Sequence, residues 1–107
     1  MRIYLPSSLE QLASYAAAGE VRDYDEPFVA EDDDEESEYA ALMAAADASA
    51  ELQPAGARRV VLVAEVGREG DAVPLRRVLA VHADAEGAAP EDDLAWFATQ
   101  EITTLLG

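Results

Sequence analysis

The sequence predicts an α+β fold, a two-layer sandwich of order β-α-α-β-β-α in which helices pack on a three-stranded sheet. Three observations predict it. Two dense β-branched runs, Arg58–Val66 and Leu75–Ala83, flank a Gly- and Pro-containing turn, a short alternating run opens the chain, and three stretches carry apolar residues at helical spacing. At 107 residues the expectation is one domain spanning 1–107, because a second core would leave each half near the ~40 to 60 residue limit of marginal stability.

In chain order, Arg2–Leu5 alternates, with Ile3 and Leu5 on one side and Arg2 and Tyr4 on the other, which predicts a half-buried strand ending at Pro6. A helix follows. Ser7 stands three residues before Glu10 as in a capping box, Leu9, Leu12, Ala13 and Ala16 share a face, and Gly19 is the expected stop. Eleven of the twenty-three acids lie between Glu20 and Glu38, with only Arg22 against them, so 20–36 reads as an acidic loop, either mobile or pinned to the core by Phe28 and Val29. Its acids lead into a second helix, where negative charge suits the N-terminal dipole; Tyr39, Leu42, Met43, Ala46 and Ala50 form the expected buried stripe, closed by Pro54 and Gly56. The two β-branched runs then form a hairpin across Gly67, Gly70, Asp71 and Pro74, apolar on both faces. Pro90 opens a last predicted helix, with Glu91, Asp92 and Asp93 in its first turn and Leu94, Phe97, Ala98, Ile102 and Leu105 on one face. This arrangement resembles an incomplete ferredoxin-like sandwich, a comparison of folding only.

Composition narrows the function classes. The formal charge is −16, from seven arginines, no lysine and twenty-three acids, well beyond the ~2 to 8 that keeps a small domain soluble. Phosphate backbones and anionic membranes are repelled, so neither nucleic acid nor membrane is an expected partner, whereas a protein with a basic surface is. The same charge, with twenty-three alanines, also fits a GC-rich genome or a salt-adapted proteome. With no cysteine and one histidine, disulfides, thiolate catalysis and multi-histidine metal sites are excluded. No apolar signal segment follows Met1 and no run approaches ~18 apolar residues, so a cytoplasmic location is expected.

The opening Met1-Arg2-Ile3-Tyr4-Leu5-Pro6, the stretch Asp33–Leu42 and the closing Trp96-Phe97-Ala98-Thr99-Gln100-Glu101-Ile102 resemble a family of small, acidic actinobacterial proteins of unknown function. The resemblance spans most of the chain and implies no activity. The chain is shorter than that pattern between Asp84 and Asp92.

Candidate site residues carry competing readings. On a helix starting at Leu94, Glu101 falls inside the apolar stripe, where a carboxylate needs a partner; Arg2 is the expected one, with Arg76 or Arg77 as alternatives. A buried structural ion pair Arg2–Glu101, a perturbed catalytic acid and a partly solvated glutamate are the three readings. Trp96 projects opposite Leu94, as an interface anchor or as a cover for an adjacent loop. His82, at the end of a strand, reads as a hydrogen-bonded structural histidine, since nothing in the spacing of Ser37, Ser49, Asp84 and Glu101 makes a triad. The acids Asp32, Asp33, Asp34, Glu35 and Glu36 are consecutive and lack the alternate spacing and central glycine of an EF-hand, so they attract cations diffusely; no phosphate-binding glycine loop is present and no cofactor is expected.

The leading expectation is a non-enzymatic interaction or regulatory module whose acidic segment, Asp32–Glu36, and Trp96 meet a basic partner. Two alternatives stand beside it. One is a small-ligand binder or small enzyme with a pocket near Tyr4, Tyr39, His82, Gln100 and Glu101; the other is a homodimer joined through the sheet face.

Overall fold

A computed structural model describes residues 1–107. The fold belongs to the α+β class and follows the predicted element order broadly: β1 (Arg2–Ser7), α1 (Leu9–Ala18), β2 (Glu20–Val21), α2 (Glu35–Glu51), β3 (Val60–Glu65), β4 (Val73–Pro74), β5 (Val78–Ala83), β6 (Ala95–Phe97) and α3 (Ile102–Leu106). The main sheet is antiparallel with strand order β1-β3-β5-β6, and β2 pairs with β4 in a separate two-stranded ladder.

Because side chains alternate along a strand, the sheet has two apolar faces. Ile3, Leu5, Val60, Leu62, Ala64 and Val81 point to one side, where they meet Leu12 and Tyr15 of α1, Ile102 and Leu105 of α3, and Val21 and Val73 of the small ladder. Tyr4, Val61, Val63 and Ala80 point to the other, where they meet Ala41, Ala45 and Ala46 of α2. Helices therefore cover both faces, giving three layers in place of two and departing from the ferredoxin-like arrangement. The reason lies in β3, whose residues Val60 to Ala64 are all buried: a strand apolar on both sides needs cover on both sides.

Three local expectations shift. β1 runs through Pro6, which sits opposite Val61, to Ser7; at the margin of a sheet the missing proline N–H is tolerated. The cap of α1 is therefore Ser8, not Ser7, and its side-chain oxygen accepts a 3.0 Å hydrogen bond from the Gln11 backbone N–H. Gly19 does end the helix, in the left-handed region at φ 79°, with its N–H on the Tyr15 carbonyl. In α2 the buried face is Ala41, Ala45, Ala46 and Ser49, while Tyr39 and Ala50 are exposed. Small side chains let the helix lie close on the sheet, so the larger residues are turned to its flanks.

The last third departs most. No helix starts at Pro90. The Asp92 carboxylate accepts from the Ala89 N–H at 2.9 Å and closes a turn, a local side-chain bond of the kind that competes with helix. The chain then extends as β6 beside β5, adding a fourth strand to the three expected. Trp96 lies opposite His82 and Phe97 opposite Val81, so the two aromatics go to opposite faces with period two. Helix forms only after Ala98, as a 3-10 turn over Thr99–Glu101 leading into α3.

The acidic segment 20–36 is tied at three points. Val21 is buried in the small ladder, the Tyr24 hydroxyl donates to the Asp71 carbonyl at 2.6 Å, and Tyr4 and Phe28 exchange backbone hydrogen bonds of 2.9 and 3.0 Å. Phe28 thus anchors the segment, while its neighbour Val29 remains exposed. No helix is long and apolar enough to cross a membrane.

Candidate protein-interaction site

The alternation of β1 places Arg2 and Tyr4 on the α2 side of the sheet, and the pairing of β5 with β6 places His82 and Trp96 there as well. α2 crosses β1 and β3, leaving the β5–β6 part of that face open. Beside the helix lie three neighbouring hollows, together called the groove. The first, about 440 Å³, is bordered by Asp32, Asp33, Val29, Arg2 and Glu65. The second, about 250 Å³, lies between Glu35, Tyr39 and Leu42 of α2 and His82 of β5. The third, about 320 Å³, has Val63 and Ala80 in its lining together with Leu79, His82 and Trp96. Tyr4 and Glu38 border all three.

Carboxylates dominate the rim. The hollows carry Asp32, Asp33, Glu35, Glu38 and Glu65 against one guanidinium, that of Arg2, which donates from Nε to Glu65 at 3.0 Å and from Nη1 to Glu38 at 3.4 Å. These contacts are solvent-exposed and leave most of the carboxylate oxygens free to accept. Burial, and then the nearby Glu38 charge, hold the Tyr4 phenol above its ordinary range. Burial pushes the His82 imidazole below its own, so the ring is neutral at pH 7. Tyr39 reaches across to the Asp93 carboxylate at 3.3 Å, and that charge raises its phenol. Trp96 is 59 % exposed, and Tyr39 and Leu79 are exposed too. Apolar and aromatic surface thus sits beside these acids.

Of the predicted interaction residues, Asp32, Asp33, Glu35 and Trp96 border this groove. Asp34 does not: it caps α2, accepting from the Ser37 N–H at 2.7 Å, which holds its carboxyl below the usual range. Glu36 faces the next flank of the helix with Glu31 and Ala40. Of the five residues of the predicted pocket, Tyr4, Tyr39 and His82 converge, whereas Gln100 and Glu101 are exposed on the 3-10 turn. His82 makes no side-chain hydrogen bond, and no carboxylate orients it as a general base would require. No three His, Asp or Glu side chains gather at metal-binding spacing.

The expected ion pair Arg2–Glu101 does not form. Glu101 accepts from the Ala98 N–H at 3.0 Å and caps the turn that replaces the predicted helix, while Arg2 is held by Glu65, its direct partner across β1 and β3. Arg76 and Arg77 are exposed and unpaired with it. The buried pair is Arg59–Asp84. Arg59 Nε and Nη2 donate to the two oxygens of Asp84 at 2.8 and 2.7 Å, the Arg59 backbone N–H adds a third bond at 2.9 Å, and Nη2 also donates to the Asp92 carbonyl at 2.7 Å. The hydrogen bonds from Arg59 hold the Asp84 carboxyl below the usual range. This bidentate clasp closes the end of the β3–β5 ladder and fixes the turn that feeds β6. The strand register brings the pair together: with Val60 opposite Ala83, the residues one step outward are Arg59 and Asp84.

No curated protein and no solved structure matches the chain. Residues 1–91 match a family model described as a family of unknown function, DUF6912, a span that holds β1 to β5 and stops short of β6 and Trp96. The match covers most of the chain, and the protein belongs to this family of unknown function.

Proposed function

We propose that the protein is a non-catalytic interaction module that receives a basic segment of a partner protein in the groove beside α2. The observation that carries this reading is that three hollows share Tyr4 and Glu38, which sets the acids Asp32 and Asp33 and the exposed Trp96 along the same side of the molecule. Guanidinium and ammonium groups are the ligands such a surface suits, because carboxylates accept charge-assisted hydrogen bonds and aromatic faces attract cations. The charge of −16 adds long-range steering toward a basic partner and disfavours nucleic acid and anionic membrane. It also disfavours a second copy in the groove, since like charges would face each other. The same reading places the protein in the cytoplasm, among basic partners.

The test is affinity capture from host lysate with the wild-type chain, Trp96→Ala and Glu38→Gln at low and moderate salt. A partner retained by wild type, lost as salt rises and weakened by both substitutions supports the reading. Capture that is indifferent to both groove substitutions sinks it.

A further inference from the structure

The two margins of the main sheet are finished differently. At β1 the outer side is bridged at its middle, where Tyr4 gives its backbone N–H to Phe28 and takes the Phe28 N–H in return, at 2.9 and 3.0 Å. At β6 nothing pairs on the outer side: the strand order ends there, and Ala95 and Trp96 are exposed. An unpaired margin presents backbone N–H and C=O groups to any extended chain that can reach them.

We infer that β6 receives the partner as an added fifth strand, and that the partner segment is extended and alternates basic with apolar residues. This rests on the interaction function proposed above and specifies how the partner is held. Alternation follows from the pleat. Next to β6, every second side chain of an added strand stands on the groove face, beside the exposed ring of Trp96 and toward Glu38, in a hollow that Arg2 also lines; the intervening ones stand on the opposite face, beside half-buried Phe97. A cation suits the first environment and an apolar side chain the second. Glu91, Asp92 and Asp93, immediately before β6, place further exposed negative charge at one end of the added strand. Because β6 is three residues long, backbone bonds alone hold little, and the side chains on the groove face supply much of the selectivity.

The experiment compares two peptides on the full chain: one alternating arginine and valine, and the same side chains on an N-methylated backbone that cannot donate ladder hydrogen bonds. Titration is followed by Trp96 fluorescence and by amide exchange at Ala95, Trp96 and Phe97. Strand addition predicts that the parent peptide binds, slows exchange in β6, and binds at least about tenfold more tightly than the methylated one. Equal binding of the two peptides overturns strand addition and leaves side-chain docking in the groove, so the broader function survives. Failure of both peptides to bind overturns the broader function as well.

Discussion

The two faces of the main sheet are built from different materials. Against α1 and α3 the sheet presents Ile3, Leu5, Leu62 and Val81, answered by Leu12, Tyr15, Ile102 and Leu105 in a cluster of 15 buried residues. Against α2 the cluster has 7 buried members, four of them alanines; Phe28 packs against it half-buried, while Trp96 and Tyr39 on the same side are exposed. Since apolar burial stabilises by roughly 25 cal/mol per Å², the first face carries most of the fold's stability. The second holds α2 close and leaves large side chains in the open. The difference teaches that one face is packed for folding, and that the other keeps large side chains uncovered.

The comparison can be broken at several points. The largest effect is expected at the clasp that anchors the turn before β6. Asp84→Ala leaves the Arg59 guanidinium buried without its carboxylate, a loss of about 3–5 kcal/mol, read as a drop in the urea midpoint; a midpoint near wild type would show that the pair is solvated. Next is Leu62→Ala at the centre of the closed face, where Leu62 is 1 % exposed. Calorimetry should register a loss of about 2–5 kcal/mol.

Acid should then expose both titrating groups in sequence. The folded-state pKa of His82 is lowered by burial, so its stabilising neutral form is fully present above the unfolded value of about 6.5 and is lost as pH falls through that value toward the folded one. Asp84 is also lowered, by the Arg59 hydrogen bonds. Its contribution is present above the unfolded value of about 3.9 and is lost as pH falls through the folded one. His82→Gln should abolish the first decline and spare the second, as followed by circular dichroism against pH. The smallest effect on stability belongs to Trp96→Ala. On the open face its removal should shift thermal stability by no more than about 0.5 kcal/mol, while its effect on capture of a partner is large. A strongly destabilised variant would mean that Trp96 belongs to the core.

Much of the fold was legible because the signal was redundant. The β3–β5 hairpin rests on two β-branched runs and a turn, Gly19 on a single conformational need, and the start of α2 on a run of acids. The region after Pro90 was not legible because two patterns coincide there. Leu94, Phe97, Ile102 and Leu105 have helical spacing, yet Trp96 and Phe97 also satisfy strand alternation, and the Asp92 bond to Ala89 decides for an extended chain. That one misreading moved Glu101 from solvent into an imagined stripe and so produced the wrong ion pair. The face of α2 was misjudged for a different reason. Of the expected stripe Ala46 is buried and Leu42 and Met43 pack at the flanks, but Tyr39 and Ala50 are exposed, because the helix rests on Ala41, Ala45 and Ser49, one residue per turn. The pair Arg59–Asp84 needed the strand register, which neither residue reveals alone. At the groove, Trp96 and the acids Asp32, Asp33 and Glu35 were identified singly, but their adjacency depends on Tyr4 and Glu38, which link strand to helix.

The bond pair between Tyr4 and Phe28 has a bearing on crowded solutions of this protein. Endless stacking of identical sheets demands that each molecule offer two free rims, one for the neighbour above and one for the neighbour below. Here the middle of one rim is already occupied by the chain's own segment at Tyr4, which obstructs that rim and favours joining of β6 against β6. Such a union consumes both β6 rims and terminates at two molecules, which disfavours fibre growth from this sheet.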